Sequence, residues 1–362
     1  MPSFRTGRVT RLLSTRRGLQ RVEVALPSGA AGGDPGGEGS TETARAYALT
    51  ELIGTVAEGD EVVVNTTAVD LGLGTGGWHV VHWNLSRREW HQAGRGHVLK
   101  LRYTSLQADT GAAEEDPAYV APSDLGGRPV VACLLHSQLP CVAAAFAAAA
   151  APGKRLVYVM TDAGALPLAL SDLVAGLCEA GLIAATVTAG HAFGGDHEAV
   201  NLASALDVAV TSGGADVIVV ASGPGVVGTG TAKGFSGLDV ASTIDAAALA
   251  GGRPVVAVRF SGVDPRARHR GVSHHVTTAL AHAHHRALIP IPVGERPDPL
   301  PAELAVHELR TVDDIPDVDR LLRSAGLAVT TMGRSATEDP AFFRWSAAAG
   351  TVAARLAVGS AP

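Results

Sequence analysis

The chain has 362 residues, of which 46% are hydrophobic and 18% charged, and its formal charge is -6. That length exceeds one comfortable hydrophobic core, and the composition excludes a disordered chain. The acidic balance and the lack of a long basic run argue against a nucleic-acid binder, which needs a positive stripe to neutralise phosphates. The chain carries three cysteines, Cys133, Cys141 and Cys178, and none sits in a C-x-x-C pair. They read as buried thiols rather than a disulfide scaffold or a zinc knuckle, with Cys141, near an expected helix start, as the one candidate for a reactive thiolate. The first twenty residues hold arginines and no apolar core segment, so no signal peptide is expected. The longest apolar run, residues 139–152, is shorter than the roughly 20 residues that a bilayer requires. A cytoplasmic protein without membrane partners is expected.

The amino-terminal part is β-prone. Arg5, Arg8, Arg11, Arg16, Arg17 and Arg21 interleave with a strand-like pattern and read as a solvated face. Strands are expected over residues 22–26, 45–49, 52–56, 61–65, 79–83 and 98–103, with a Gly-Asp turn at 58–60. Residues 28–40 are glycine-rich and lack large apolar side chains, as in a mobile loop. The polar, glycine-bearing stretch 65–78 reads as a long hairpin connection, or as a segment reaching over a cleft or towards a partner. An acidic, proline-bearing stretch at 111–122 marks the boundary, giving a small all-β barrel or sandwich over 1–125 and a second domain over 126–362.

The pattern then changes. Short continuous apolar runs at 130–135, 156–160, 182–187, 216–220, 254–258 and 288–292 read as strands. They alternate with an alanine-rich helix and with helices over 166–180, 198–209, 238–250 and 273–283. Two further helices are expected over 318–327 and 340–357, the second opened by Asp339-Pro340. Such alternation predicts an α/β domain: a mainly parallel, Rossmann-like sheet in a three-layer arrangement. Ligands of these sheets bind beyond the carboxyl ends of the strands, where the strand order switches.

Polar residues and glycines concentrate in those strand-end loops. The first holds His136-Ser137-Gln138 and the second Asp162. The third offers His191, Asp196, His197 and Glu198, a mixture suited to proton transfer, to a divalent metal or to structural hydrogen bonds. His191, Asp196, His197 and Asp162 are therefore the candidate catalytic groups. The fourth loop carries Gly223, Gly225, Gly228, Thr229 and Gly230, where backbone N–H groups can converge on an anion. The fifth packs Asp264, Arg266, Arg268, His269, Arg270, His274 and His275 into twelve residues. Arginine forks match phosphate or carboxylate oxygens, so Arg266, Arg268, Arg270 and His274 are the candidate anion clamp; solvated charge, or Asp264 tying one arginine to shape the loop, are the alternatives. Ser273 is placed to cap the helix that follows. His282, His284 and His285 read as partly exposed helix residues. No G-x-S-x-G elbow or P-loop is present, and the glycines after the fourth strand do not form a G-x-G-x-x-G placed immediately at a helix start and lack an acidic ribose anchor at a convincing spacing, which argues against an α/β-hydrolase or a nicotinamide-dependent oxidoreductase.

These residues resemble a mainly actinobacterial family of uncharacterised proteins, domain of unknown function 3866. The likeness rests on His136-Ser137-Gln138, Met160-Thr161-Asp162, Gly190-His191 with Gly194-Gly195-Asp196, Gly223-Pro224-Gly225 through Thr229-Gly230-Thr231, Asp264-Pro265-Arg266 through Arg270-Gly271 with Ser273-His274-His275, and Met332-Gly333-Arg334. It spans nearly the whole chain and implies no activity. From the residues themselves, the expectation is an enzyme acting on a phosphorylated or otherwise anionic small molecule, with a divalent metal or a phosphate-containing ligand as cofactor. The alternative is a non-catalytic nucleotide- or phosphate-binding sensor or scaffold. A homodimer is the assembly expected on general grounds.

Overall fold

The computed structural model describes residues 2–27 and 41–358, so the glycine-rich stretch 28–40 lies outside the described residues. The chain divides into two compact units, residues 1–94 with 101–109, and residues 95–100 with 110–362.

In the first unit, β1 (Phe4–Arg16), β2 (Leu19–Pro27), β3 (Thr41–Leu49), β4 (Glu61–Asn65) and β5 (Trp78–Asn84) close a barrel in the order β1-β2-β3-β5-β4. All neighbours are antiparallel except β3 and β5. Alternate residues point inward, and Val22, Val24, Leu26, Ala46, Ala48, Val62 and Val64 fill the interior. The arginines of β1 lie on its outer side, where Arg5 pairs with Glu42 and Arg11 with Glu23. Closure leaves no unpaired edge along these strands.

Two expected strands are absent. Residues 50–53 form a helical turn, so 52–56 does not pair with β4. In the 98–103 run only Leu99–Lys100 is extended. Leu101 and Tyr103 have positive φ of 50° and 60°, and the chain turns there instead of continuing as a strand. The polar stretch after Asn65 is the β4–β5 connection, and it contains the short helix Thr67–Asp70.

The second unit is a three-layer α/β structure. Its strands are β6 (Pro129–Cys133), β7 (Leu156–Thr161), β8 (Ala185–Thr188), β9 (His197–Glu198), β10 (Val217–Ser222), β11 (Arg253–Ala257), β12 (Leu288–Pro292) and β13 (Glu308–Val312). Among the described residues they form one sheet in the order β9-β8-β7-β10-β6-β11-β12-β13, and every neighbouring pair is parallel. Both faces are buried. Leu156, Tyr158 and Met160 of β7 join one core cluster, while Val157 and Val159 join the other. This double burial explains why the strands read as continuous apolar runs. The edge strands β9 and β13 carry charged residues, lack that signature, and are not evident from apolar patterning.

The helices follow local signals. Ser171 caps α2 (Asp172–Glu179), Asn201 caps α3 (Leu202–Thr211) and Ser273 caps α5 (His274–His282), each through its side-chain oxygen. α3 starts later than expected because Glu198 belongs to the sheet. Helix α4 (Asp239–Leu249) leads into β11. α1 (Leu139–Ala149) and α7 (Pro340–Val358) pack together on one face, while α6 (Val318–Ser324) lies beside them. His284 and His285 fall beyond the end of α5, where their backbone N–H groups donate to Asp245.

Gly350 lets α7 approach α1. A Cβ built there would lie 2.2 Å from the carbonyl oxygen of Val142 and 3.0 Å from the Ala145 Cβ. In an isolated helix, Gly→Ala gains about 1 kcal/mol. Here the methyl would have to push two packed helices apart, at a cost of ~1–3 kcal/mol. Gly350→Ala is therefore expected to lower stability in urea unfolding despite the better helix former, and an unchanged or raised midpoint would refute this close contact.

Candidate functional site

The strand order decides which loops meet. The chain runs from central β6 to β7 and β8, returns to β10 between β7 and β6, and then crosses to β11 on the other side of β6. The loops after β10, β6 and β11 therefore emerge side by side. Between them lies a cleft of about 510 Å³. Leu135, His136 and Ser137 line it from the β6 loop, and Pro224, Gly225, Val226, Gly228, Gly230, Thr231 and Phe235 from the β10 loop. Arg259, Arg266, Arg268, His269 and His275 come from the β11 side, with Leu173, Thr330 and Met332 completing the wall.

Asp264 organises the β11 side. Its side chain is fully buried and, among the described residues, meets three guanidinium groups. Arg266 grips it as a fork, Nε to Oδ1 and a terminal nitrogen to Oδ2, both at 3.0 Å. Arg259 and Arg334 each approach Oδ2 at 3.4 Å. The Arg266 fork, aided by the neighbouring backbone N–H and by Arg259, holds this carboxyl far below the usual carboxylate range against the opposing effect of burial. Burial, with Arg266 nearby, lowers Arg259 to about 10, so it stays charged at neutral pH. The backbone oxygen of Asp264 accepts from Arg270, and the Asp264 N–H donates to Ser261. Ser261 in turn donates to the buried Asp339 at 2.6 Å. The Asp339 carboxylate thus faces Ser261 and Arg334 just before α7.

The histidines at the cleft are neutral. His136 donates from Nδ1 to the Ser222 carbonyl at 3.1 Å, and its Nε2 accepts from the Ser171 hydroxyl at 2.7 Å. The carbonyl can only accept, which places the proton on Nδ1. Burial lowers His136 to about 4. Burial, followed by the nearby guanidiniums, lowers His269 to about 4. Burial, followed by His274 and His269, lowers His275 to about 3. His274 is lowered in the same direction, first by burial and then by Arg268. Phe235 stacks on His275 with ring centroids 3.9 Å apart and planes within 7°.

The residues singled out from the sequence separate into groups. Gly225, Gly228, Gly230, Arg266 and Arg268 line the cleft. Gly223 does not: a Cβ there would sit 2.2 Å from the Ala165 carbonyl oxygen, so its role is close backbone packing. Thr229 donates its N–H to Gly234, closing the loop on itself. Arg270 is turned to the Asp264 carbonyl, and His274 does not line the cleft but packs against His269 and His275. The third-loop group follows β8, which is separated from β10 by β7. His191, Asp196, His197 and Asp162 do not line the cleft. Asp196 accepts from the backbone and hydroxyl of Thr186, and Asp162 accepts from the His191 N–H. Buried Glu198 accepts from Thr188 and Gly194 and pairs with Lys100. These carboxylates shape their loops.

Arg259, His136, His275 and Phe235, outside the candidate catalytic and anion-clamp sets, also line the cleft. The available signal was the H-x4-H-H spacing of His269, His274 and His275 at a helix start. The buried thiols expected for all three cysteines hold for Cys133 and Cys141, whose burial pushes them well above the thiol range. Cys178 is exposed instead, on the outer side of α2. No helix among the described residues is long and apolar enough to cross a membrane.

Residues 45–350 match the family described as protein of unknown function DUF3866, and the chain belongs to that family. No curated protein matches it.

Two outcomes follow from this geometry. Replacing Asp264 by Asn leaves Arg259, Arg266 and Arg334 without their shared counter-charge, and breaking a buried pair from one side costs about 3 kcal/mol or more. Urea unfolding at neutral pH should show that loss; a change under ~0.5 kcal/mol would refute the role of Asp264 as the node. The second outcome concerns His136. The unfolded imidazole takes up a proton near its ordinary value of 6.5, whereas the folded one resists until about 4. Its contribution to stability is thus whole at neutral pH and is lost as pH falls across that window, by on the order of 3 kcal/mol. Stability measured at pH 7 and pH 4.5 should fall more for the wild type than for His136→Gln, and equal falls would overturn the assignment.

Proposed function

We propose that this DUF3866 member is an enzyme that binds and acts on a small phosphorylated or otherwise anionic molecule in the cleft between the β6, β10 and β11 loops. The observation that carries the reading is the lining itself. Arg259, Arg266 and Arg268 border one cleft, and the carboxylate that balances part of their charge, Asp264, is buried behind them. Guanidinium forks suit phosphate and carboxylate oxygens. Exposed Gly225 and Gly230, with φ of 93° and 80°, let the β10 loop turn its backbone along the opposite wall. Leu135, Leu173, Val226, Phe235 and Met332 supply apolar surface for the body of the ligand. The volume falls within the ~300–1,000 Å³ of small-molecule sites.

A second reading, a non-catalytic sensor of a nucleotide or phosphate, is favoured by one feature. No Asp or Glu occurs among the described residues lining the cleft, and the lone pair of His136 Nε2 is already taken by Ser171. Turnover would then have to use His269 or His275.

Arg268 is the residue to test, because it is exposed and, among the described residues, its side chain makes only a long contact of 3.4 Å to His269. Calorimetric titration with inorganic phosphate, pyrophosphate and a panel of sugar phosphates and nucleotides is expected to identify a ligand. Arg268→Ala should weaken it about 10–100-fold, the value of a charge-assisted hydrogen bond. A folded protein that binds none of the panel, or a variant with unchanged affinity, counts against the reading. Recovery of the ligand chemically unchanged after long incubation decides for the sensor.

A further inference from the structure

We propose that His269, His274 and His275 form a binding site for a divalent transition metal of the zinc class. The inference rests on the imidazoles alone and stands whether or not the cleft takes an anion.

One ring nitrogen from each histidine lies within 4.8 Å of the others. A tetrahedral site with metal–nitrogen bonds of about 2.0–2.1 Å needs nitrogens about 3.3 Å apart, which side-chain rotation of an ångström or so supplies. Imidazole nitrogen is a donor suited to zinc, copper, iron and nickel. The rings are held by the fold. Ser273, the cap of α5, fixes two of the three positions: its Oγ accepts from the backbone N–H of His275 at 3.3 Å and lies 2.7 Å from His269 Nδ1. Arg268 donates to His269 Nε2 over a long 3.4 Å contact, so Nε2 carries the lone pair, which a metal takes over from that contact, and Nδ1–H donates to Ser273; Arg259 stands at a similar 3.5 Å from His275 Nδ1. A ligating imidazole is commonly oriented in this way, by a hydrogen bond from its other nitrogen. Phe235 stacked on His275 fixes the plane of the third ring.

The independent observation is His274. Its Nε2 is buried and has no hydrogen-bond partner among the described residues. An orphaned buried nitrogen costs about 1–3 kcal/mol. Three rings packed at tilted and edge-to-face angles without an ion leave that cost in place, and a metal removes it.

The nearby guanidiniums are the opposing effect, since they repel a cation. Arg259 and Arg266 share the charge of Asp264, and Arg268 is exposed and screened by solvent. His269 and His275 line the cleft. The positive charge that remains there favours an oxygen anion on the fourth metal position.

The test uses the full chain, freed of metal by a chelator and dialysed against cobalt(II) or zinc(II). The expected result is about one metal per chain, with the visible absorption of tetrahedral cobalt. His274→Ala, which has no hydrogen bond from the imidazole Nε2 to lose, should abolish both signals while circular dichroism and thermal unfolding show a folded protein. His282→Ala, on the same helix and bonded to the Thr278 carbonyl, should keep them. A folded wild type that retains no metal, or a folded His274→Ala chain that retains as much as the wild type, overturns the site. Should His274→Ala fail to fold, His275→Gln is measured in its place, with the same expectation.

Discussion

A single buried carboxylate ties the carboxyl-terminal end of the sheet together. Asp264 has no exposed surface and would be costly to hold as an ion without partners. The two-point grip of Arg266, the buried Arg259 and the incoming Arg334 meet that cost. The bonds also join three separate stretches of chain. Arg259 leaves β11, Arg266 belongs to the loop that follows, and Arg334 precedes α7. Ser261 and Asp339 close the same circuit on the other side. Geometry at the cleft rim is inherited from this node, because Arg259 and Arg266 line the cleft while bonded to it.

The node also sets the charge state of its neighbours. Guanidiniums that cannot lose their protons surround imidazoles that are already partly buried, and both effects press the histidines towards neutrality. The cleft therefore combines permanent positive charge with neutral nitrogen donors. That pairing suits an anion, and it suits a metal only where an anion or a buried carboxylate balances the charge. Burial and charge act together here, and neither the arginines nor the histidines can be understood alone.

The β8 loop shows how the same residue types are used for structure. Asp196, Glu198 and Asp162 each accept two or more hydrogen bonds, or pack against a glycine such as Gly190, where a Cβ would fall 2.3 Å from the Asp162 carboxylate. Glu198 pairs with Lys100 in a buried site. Groups saturated in this way hold a loop closed, whereas a binding site needs donors left over.

Local sequence carried much of the fold. The continuous apolar runs located the inner strands, and the segments alternating with them located the helices, because a strand buried on both faces is apolar at every position. Ser273 as a cap and Pro340 at a helix start follow from backbone chemistry within a few residues. The concentration of glycine and charge after the strands also pointed to the end of the sheet where the cleft lies. Strand order is a different kind of information. The return of the chain to insert β10 between β7 and β6 depends on packing between residues far apart in sequence, and nothing within the His191–Glu198 segment shows that β7 stands between it and the cleft. For the same reason Arg259 and His136 reach one cleft through the adjacency of β6 and β11. The sequence by itself determined which residues can carry charge, lone pairs and tight turns; only the tertiary structure decided which of them face one another, because that choice is made by long-range strand pairing.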